Sequence, residues 1–278
     1  MPRVHLVTQA YGREDIRAQA LYAAWSALAF AEDLDLGVHV YTDDAAFFAP
    51  LGAAVDVSVL SPEELRAWRG PHDFVHRLKP LLIRDLAHRF PGEKLLYVDA
   101  DVVFTRPVRE VLDRIGPGRA VLHVREYDIA THPTKQLRRF RRRMKRVAFR
   151  GRPVPLDHAM WNAGVVGLDA SHIPLIEEWI AMVDEIYPQW PYWIHEQYAI
   201  CQLLQRAGTV SPADDVVLHY WDRKDAAVAA IARELPVLRA GPLAAAHAHL
   251  RTHPLVLPPP GRRRTTLRER LLRILERR

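Results

Sequence analysis

The chain has 278 residues, 49% of them hydrophobic, with one cysteine and a net charge of +6. That length can bury a large core as one large domain or two, and we favour one domain with a decorated C-terminal half. Cys201 alone excludes an internal disulfide framework, and its place in an apolar helical run makes it a packed thiol rather than a nucleophile. The N-terminus, MPRVHLVTQAYG, enters a strand without a signal-peptide apolar stretch, and no apolar run reaches membrane-spanning length. A cytoplasmic protein is expected, soluble or peripheral on the inner face of a membrane. Charge is uneven: the tail 262–278 holds eight arginines and two glutamates, and 135–152 holds ten lysines and arginines with no acid. Such patches suit an anionic partner.

In chain order, short apolar runs alternate with helical patterns. VHLVT, GVHVYTD, VDVSVL and KLLYVDADVVF read as strands, with helices over about 14–30 and 80–90 between them. This βαβ series predicts a mainly parallel sheet covered on both faces. Further strands are expected at 120–124, 161–168 and 216–220. A helix over 174–187 should bury Ile176, Trp179, Ile180, Val183 and Ile186, and one over 193–207 should end at Gly208. The Pro run 258–260 reads as a linker before a basic amphipathic tail in which Leu267, Leu271, Ile274 and Leu275 share a face. That tail suits an anionic membrane surface, or docking on the chain's own body or on a second subunit.

The chemistry points to Asp99 and Asp101. Two apart on a strand, their carboxylates would share a face, at the strand end where open α/β sheets hold ligands. A hard divalent cation suits such oxygens, and a solvated turn is the bland alternative. No Gly-rich phosphate loop of either common type is present, so a bound nucleotide diphosphate would need its charge neutralised another way, which a carboxylate-held metal does.

Four elements in order, YVDADVVF (97–104), WNAGVVGL (161–168), HEQYAICQLL (195–204) and LHYW (218–221), resemble the family-8-type GT-A glycosyltransferases, the group of glycogenin and the bacterial lipooligosaccharide galactosyltransferases. The resemblance implies a Rossmann-like GT-A domain over 1–257, with 258–278 as the tail. It implies a Mn²⁺ (or Mg²⁺) site made by Asp99, Asp101 and His219, with imidazole favouring manganese. It places Asn162, Glu196 and Gln197 on the donor sugar. Thr8, Gln9, Tyr11 and Asp43 would line the base and ribose pocket, together with Ala100. Arg77 and Lys79 would reach the donor near a helix that Pro80 opens. The family's Lys-Pro-Trp after the histidine is missing, and Lys224 would supply its charge at altered spacing.

The implied reaction transfers a hexose, from uridine diphosphate by resemblance, to a glycan or lipid-linked acceptor with retention. Segment 135–152 would be a lid or acceptor loop. A haloacid-dehalogenase-type phosphohydrolase would carry its Asp-x-Asp on the first strand, and a nucleotidyltransferase would need a Gly-rich first loop. A non-catalytic nucleotide-sugar binder is the remaining alternative. Nucleic acid is not expected as a partner, since the arginine runs lack interleaved aromatics. His247, His249 and His253 lack carboxylate or cysteine companions in sequence and are read as incidental.

Overall fold

A computed structural model describes residues 4–259. The tail expected at 262–278 lies outside the described residues. Strands β1 (Val4–Ala10), β2 (Leu36–Thr42), β3 (Val55–Val59) and β4 (Lys94–Val98) run parallel. Helix α1 (Glu14–Ala29) crosses from β1 to β2, while α2 (Pro62–Arg69) and α3 (Leu78–Arg89) connect β3 to β4. After β5 (Val102–Phe104) and α4 (Arg109–Leu112) come β6 (Arg119–Asp128), α5 (Lys135–Met144) and a hairpin of β7 (Ala148–Phe149) with β8 (Arg152–Pro153). The chain continues through β9 (Ala159–Leu168), α6 (Ile173–Ile186), α7 (His195–Ala207), β10 (Thr209–Ser211), β11 (Val217–His219), α8 (Lys224–Ala240) and α9 (Leu243–Thr252).

Seven strands form one sheet in the order β10-β6-β9-β4-β1-β2-β3. Every pair is parallel except those of β9, which runs antiparallel to both β6 and β4. All ten residues of β9 are buried, which fits a central strand covered on both faces. One face packs on α1, α8 and α9 through residues such as Trp25, Ile231 and Leu250, and the other on α3, α6 and α7 through Leu82, Trp179 and Leu203. The five residues expected to share the buried face of α6 do so. This is the mixed, mainly parallel α/β sheet that the strand runs predict. No helix among the described residues is long and apolar enough to cross a membrane.

Three local features go beyond or differ from the expected elements. The LHY segment leaves the main sheet: β11 pairs antiparallel with β5 in a separate two-stranded ladder. Helix α3 begins at Leu78 after a 3₁₀ turn over Val75–Arg77, so Pro80 is its third residue rather than its first. Proline is tolerated there because N–H groups of the first turn have no intrahelical acceptor. Helix α8 begins at Lys224 and passes Pro236 to reach Ala240.

At the sheet edge, α7 ends where Gly208 lies so close to Gly118 that an added Cβ would sit 2.1 Å from its carbonyl oxygen. That oxygen also accepts the N–H of Thr209 at 2.9 Å, which fixes it in place. Gly208→Ala is therefore expected to destabilise the chain by about 1–3 kcal/mol, measured as a lowered urea midpoint. An unchanged midpoint would mean that the β10 edge yields at no cost.

Candidate active site

The apolar run of β4 ends at Val98, and Asp99, Ala100 and Asp101 form a turn into β5 rather than a continuous strand. The two carboxylates thus meet because the turn is pinned on both sides, not through the strand pleat expected from their spacing. Asp99 N–H donates to Gly164 O of β9 at 2.8 Å, and Tyr220 N–H donates to Asp101 O at 3.2 Å. Ala100 packs, partly buried, into the α1 layer. One oxygen from each aspartate and one ring nitrogen of His219 lie within 4.8 Å of one another.

His219 is buried, and a chain of fixed donors sets its ring. Gly164 N–H donates to Asn162 Oδ1 at 2.9 Å, which identifies that atom as the oxygen. His219 Nδ1 lies 2.9 Å from the same oxygen, so Nδ1 must carry the proton. Nε2 then faces Asp101 Oδ1 at 3.2 Å. In the neutral ring these are two lone-pair acceptors, an arrangement completed by a cation between them, with the second nitrogen oriented as in metal-bound histidines. A Cβ on Gly164 would sit 2.4 Å from the His219 ring, so only glycine lets the imidazole pack there. His123 stands edge-on to His219 at 5.2 Å and donates Nε2–H to Val217 O at 2.9 Å, tying β11 to β6.

Lys79 is buried at 5% exposure between Asp99 Oδ1 and Glu196 Oε2, each 3.4 Å away, and donates to Ala163 O at 2.8 Å. Burial opposes its charge, but the two carboxylates raise its pKa and keep it an ammonium. Glu196 is the member of the pair that gives way: burial pushes it up to about 7, helped by Asp99 and countered by a Lys79 charge shared between two carboxylates. Its Oε1 is buried without a protein partner. Burial raises the Asp101 pKa, but His219, when its ring is protonated, and Lys224 outweigh that and hold it below the usual carboxylate range. Lys224, half exposed at the start of α8, reaches Asp101 Oδ2 at 3.1 Å.

The end of β1 extends this network. Gln9 donates Nε2–H to Tyr97 Oη at 2.8 Å, and Tyr97 donates to Asp99 Oδ1 at 2.7 Å. Thr8 Oγ1, Gln9 Oε1 and Tyr11 Oη are buried without protein partners, leaving polar atoms for a ligand at this strand end. Asp43 lies alongside but is committed to Gly12 N–H at 2.7 Å and Arg17 at 2.8 Å. Arg77 is not brought to the cluster: its guanidinium forks onto Asp184 of α6 at 2.5 and 2.8 Å and donates to Trp68 O. The 3₁₀ turn before α3 swings it to the far side of the helix start from Lys79.

Sequence reasoning missed Glu126. Asn162 Nδ2 lies 3.4 Å from one of its oxygens and Gln197 Nε2 donates to the other at 3.0 Å. Glu126 is exposed at the rim, yet desolvation by the surrounding protein raises its pKa, against the lowering effect of the two amides and His219. Register shifts in the β6·β9 ladder on both sides of Val124 and Arg125 break the alternation that would have marked Glu126 as facing the site. Tyr97 was also missed, although it stands two residues before Asp99 on the same strand face. His249 meets Glu234 at 2.7 Å and stacks on His253, and these residues form no metal cluster among the described residues.

No family model matches the sequence, and neither does any curated protein sequence. Solved structures do match. The galactosyltransferase LgtC, crystallised with donor and acceptor sugar analogs, is 16% identical with a TM-score of 0.51 over 75% of this chain and 73% of its own. The chain has the GT-A fold. Mouse xyloside xylosyltransferase 1 in its apo form is 15% identical with a TM-score of 0.48, covering 76% of this chain and 84% of its own.

Two outcomes follow from this GT-A site. Gly164→Ala should displace His219 and weaken Mn²⁺ binding by at least about tenfold, read by calorimetry, as ligand-orienting partners are worth. Because the native carboxyl of Glu196 binds its proton more tightly than the unfolded one, stability falls as pH rises from about 4.5 to about 7. Glu196→Gln, measured by urea unfolding in EDTA, should flatten that slope; an identical slope in both proteins would refute the assignment.

Proposed function

We propose that this chain is a metal-dependent glycosyltransferase that moves a hexose from a nucleotide-diphosphate sugar to an acceptor hydroxyl. The observation that carries the reading is the convergence of Asp99, Asp101 and His219 at the end of β4, beside buried polar atoms that no protein group satisfies. The donor set fits a divalent ion: two carboxylates offer hard oxygens, and the proton on His219 Nδ1 leaves Nε2 free to ligate. Imidazole beside carboxylates favours Mn²⁺ over Mg²⁺. When bound, the cation supplies Lewis-acid neutralisation of the departing diphosphate.

The chain's own groups do the rest. Asp99 and Asp101 hold the metal, and Lys224, exposed at the mouth, is free to exchange Asp101 for a phosphate oxygen. Thr8, Gln9 and Tyr11 receive the nucleoside at the end of β1, with uridine favoured by the family resemblance. Asn162, Glu196 and Gln197 bracket the transferred sugar: Gln197 presents an amide from the first turn of α7, and Glu196 offers its unpartnered Oε1 to a hydroxyl. Lys79 positions Glu196 and Asp99 without needing to touch the sugar. The transfer retains anomeric configuration, with the leaving phosphate taking the acceptor proton. NMR of the first product formed tests this, and an inverted anomer would overturn it. The acceptor in this reading is a glycan or a lipid-linked hydroxyl; nucleic acid is not expected, because the arginine runs lack interleaved aromatics.

The deciding measurement is calorimetric titration with nucleoside diphosphates and their sugar conjugates, in Mn²⁺ and in EDTA, on the wild type and Asp101→Ala. Binding is expected in Mn²⁺ alone and should be lost in the variant. No binding of any nucleotide under either condition would sink the reading.

A further inference from the structure

Many arginines of the described chain meet carboxylates: Arg13, Arg77, Arg89, Arg106, Arg114 and Arg206 each pair with an aspartate or glutamate. Those of α5 do not. Arg139, Arg142 and Arg143 are exposed on one side of the helix, Arg146 is exposed in the turn just after it, none of the four meets a carboxylate among the described residues, and 135–152 contains no acid at all. The opposite side is anchored: Phe140 and Met144 are buried in the core, and Arg141 Nη1 donates to the carbonyls of Ile129 and His132. The basic face is thus a fixed surface of the fold, not a loose run of charge.

It is also fixed relative to the site. β6, which carries Glu126, ends at Asp128, against the segment that Arg141 clamps. Phe140 packs 5.8 Å from Trp190 and 6.3 Å from Tyr192, in the loop that runs directly into Glu196 and Gln197. Trp190 and Tyr192 are stacked, and the next residue, Trp193, projects into solvent at 56% exposure. A rigid arginine face, on a helix packed against the loop that carries an exposed tryptophan, has the composition of a surface that rests on lipid headgroups: cations for anionic phosphates, and an indole for the interfacial zone.

We propose that the exposed face of α5, together with the exposed Trp193 of the loop packed against that helix, docks this protein on an anionic membrane surface. Docking itself is independent of the reaction above. If that reading holds, the acceptor side of the site opens toward the lipid, and the acceptor is membrane-borne.

The test is co-sedimentation of the full chain with vesicles of phosphatidylcholine alone and of phosphatidylcholine mixed with phosphatidylglycerol, without donor or metal. Three proteins are compared: the wild type, a variant carrying Arg139→Gln, Arg142→Gln, Arg143→Gln and Arg146→Gln, and one carrying Arg262→Gln, Arg263→Gln, Arg264→Gln and Arg268→Gln. The expected result is binding to anionic vesicles only, weakened by salt, and lowered at least about tenfold by the α5 substitutions. Because those positions are exposed, the urea midpoint should match the wild type. A blue shift of tryptophan emission on anionic vesicles, lost in Trp193→Ser, is the second expected readout. Binding abolished by the tail substitutions but unaffected by those in α5 overturns the proposal. So does equal binding to neutral vesicles, or retention on RNA with none on lipid.

Discussion

Lys79 joins four parts of the molecule through one ammonium group. It rises from the first turn of α3, donates to Ala163 of β9, and lies between Asp99 at the end of β4 and Glu196 at the start of α7. Asp99, Asp101, Glu126 and Glu196 gather within one crevice, and without buried cationic charge they would repel one another or take up protons. Lys79 from within and Lys224 from the rim divide that task. A removed partner here would leave a buried charge uncompensated, which is far more costly than the loss of a surface ion pair. The acidic crevice and the fold that shapes it therefore stand or fall together.

Much of this arrangement was legible in the sequence. Largely apolar runs broken by turn residues marked β1, β2 and β4 and the flanking helices, because strands covered on both faces are mostly apolar, while the edge strand β3 alternates and has no buried residue. The five-residue stripe on α6 follows the helical period for the same reason. The grouping of Asp99, Asp101 and His219 was legible through its motif, but the geometry behind it was not. Spacing suggested a strand pleat, whereas a turn held by Gly164 O and by Tyr220 N–H produces the convergence. Those two bonds come from residues more than sixty positions downstream, and no local pattern encodes them.

The misses share that origin. Arg77 and Lys79 are two apart, but the 3₁₀ turn that precedes α3 points one at Asp184 and the other at Asp99. Glu126 reaches the site because the β6·β9 ladder shifts register, and a shifted register is invisible to a reading based on alternation. Asp43, a plausible ribose ligand by position, is occupied by Gly12 N–H and Arg17. In each case a long-range partner, rather than propensity, decides where the side chain goes.

The antiparallel course of β9 between two strands running the other way has a mechanical consequence. A strand bonded along both edges is a clamped beam: it cannot slide by one residue without breaking two ladders and turning every buried side chain to the wrong face. Asn162, Ala163 and Gly164 sit on that beam, and they set the positions of His219, Lys79 and Asp99 respectively. The distance between the Asp99 and His219 cluster and the Asn162 amide is thereby fixed by the backbone of a single strand. On the opposite side, α5 and the loop before α7 belong to no strand ladder and are held by side-chain packing and by side-chain hydrogen bonds to backbone carbonyls, such as Arg141 to Ile129 O and His132 O.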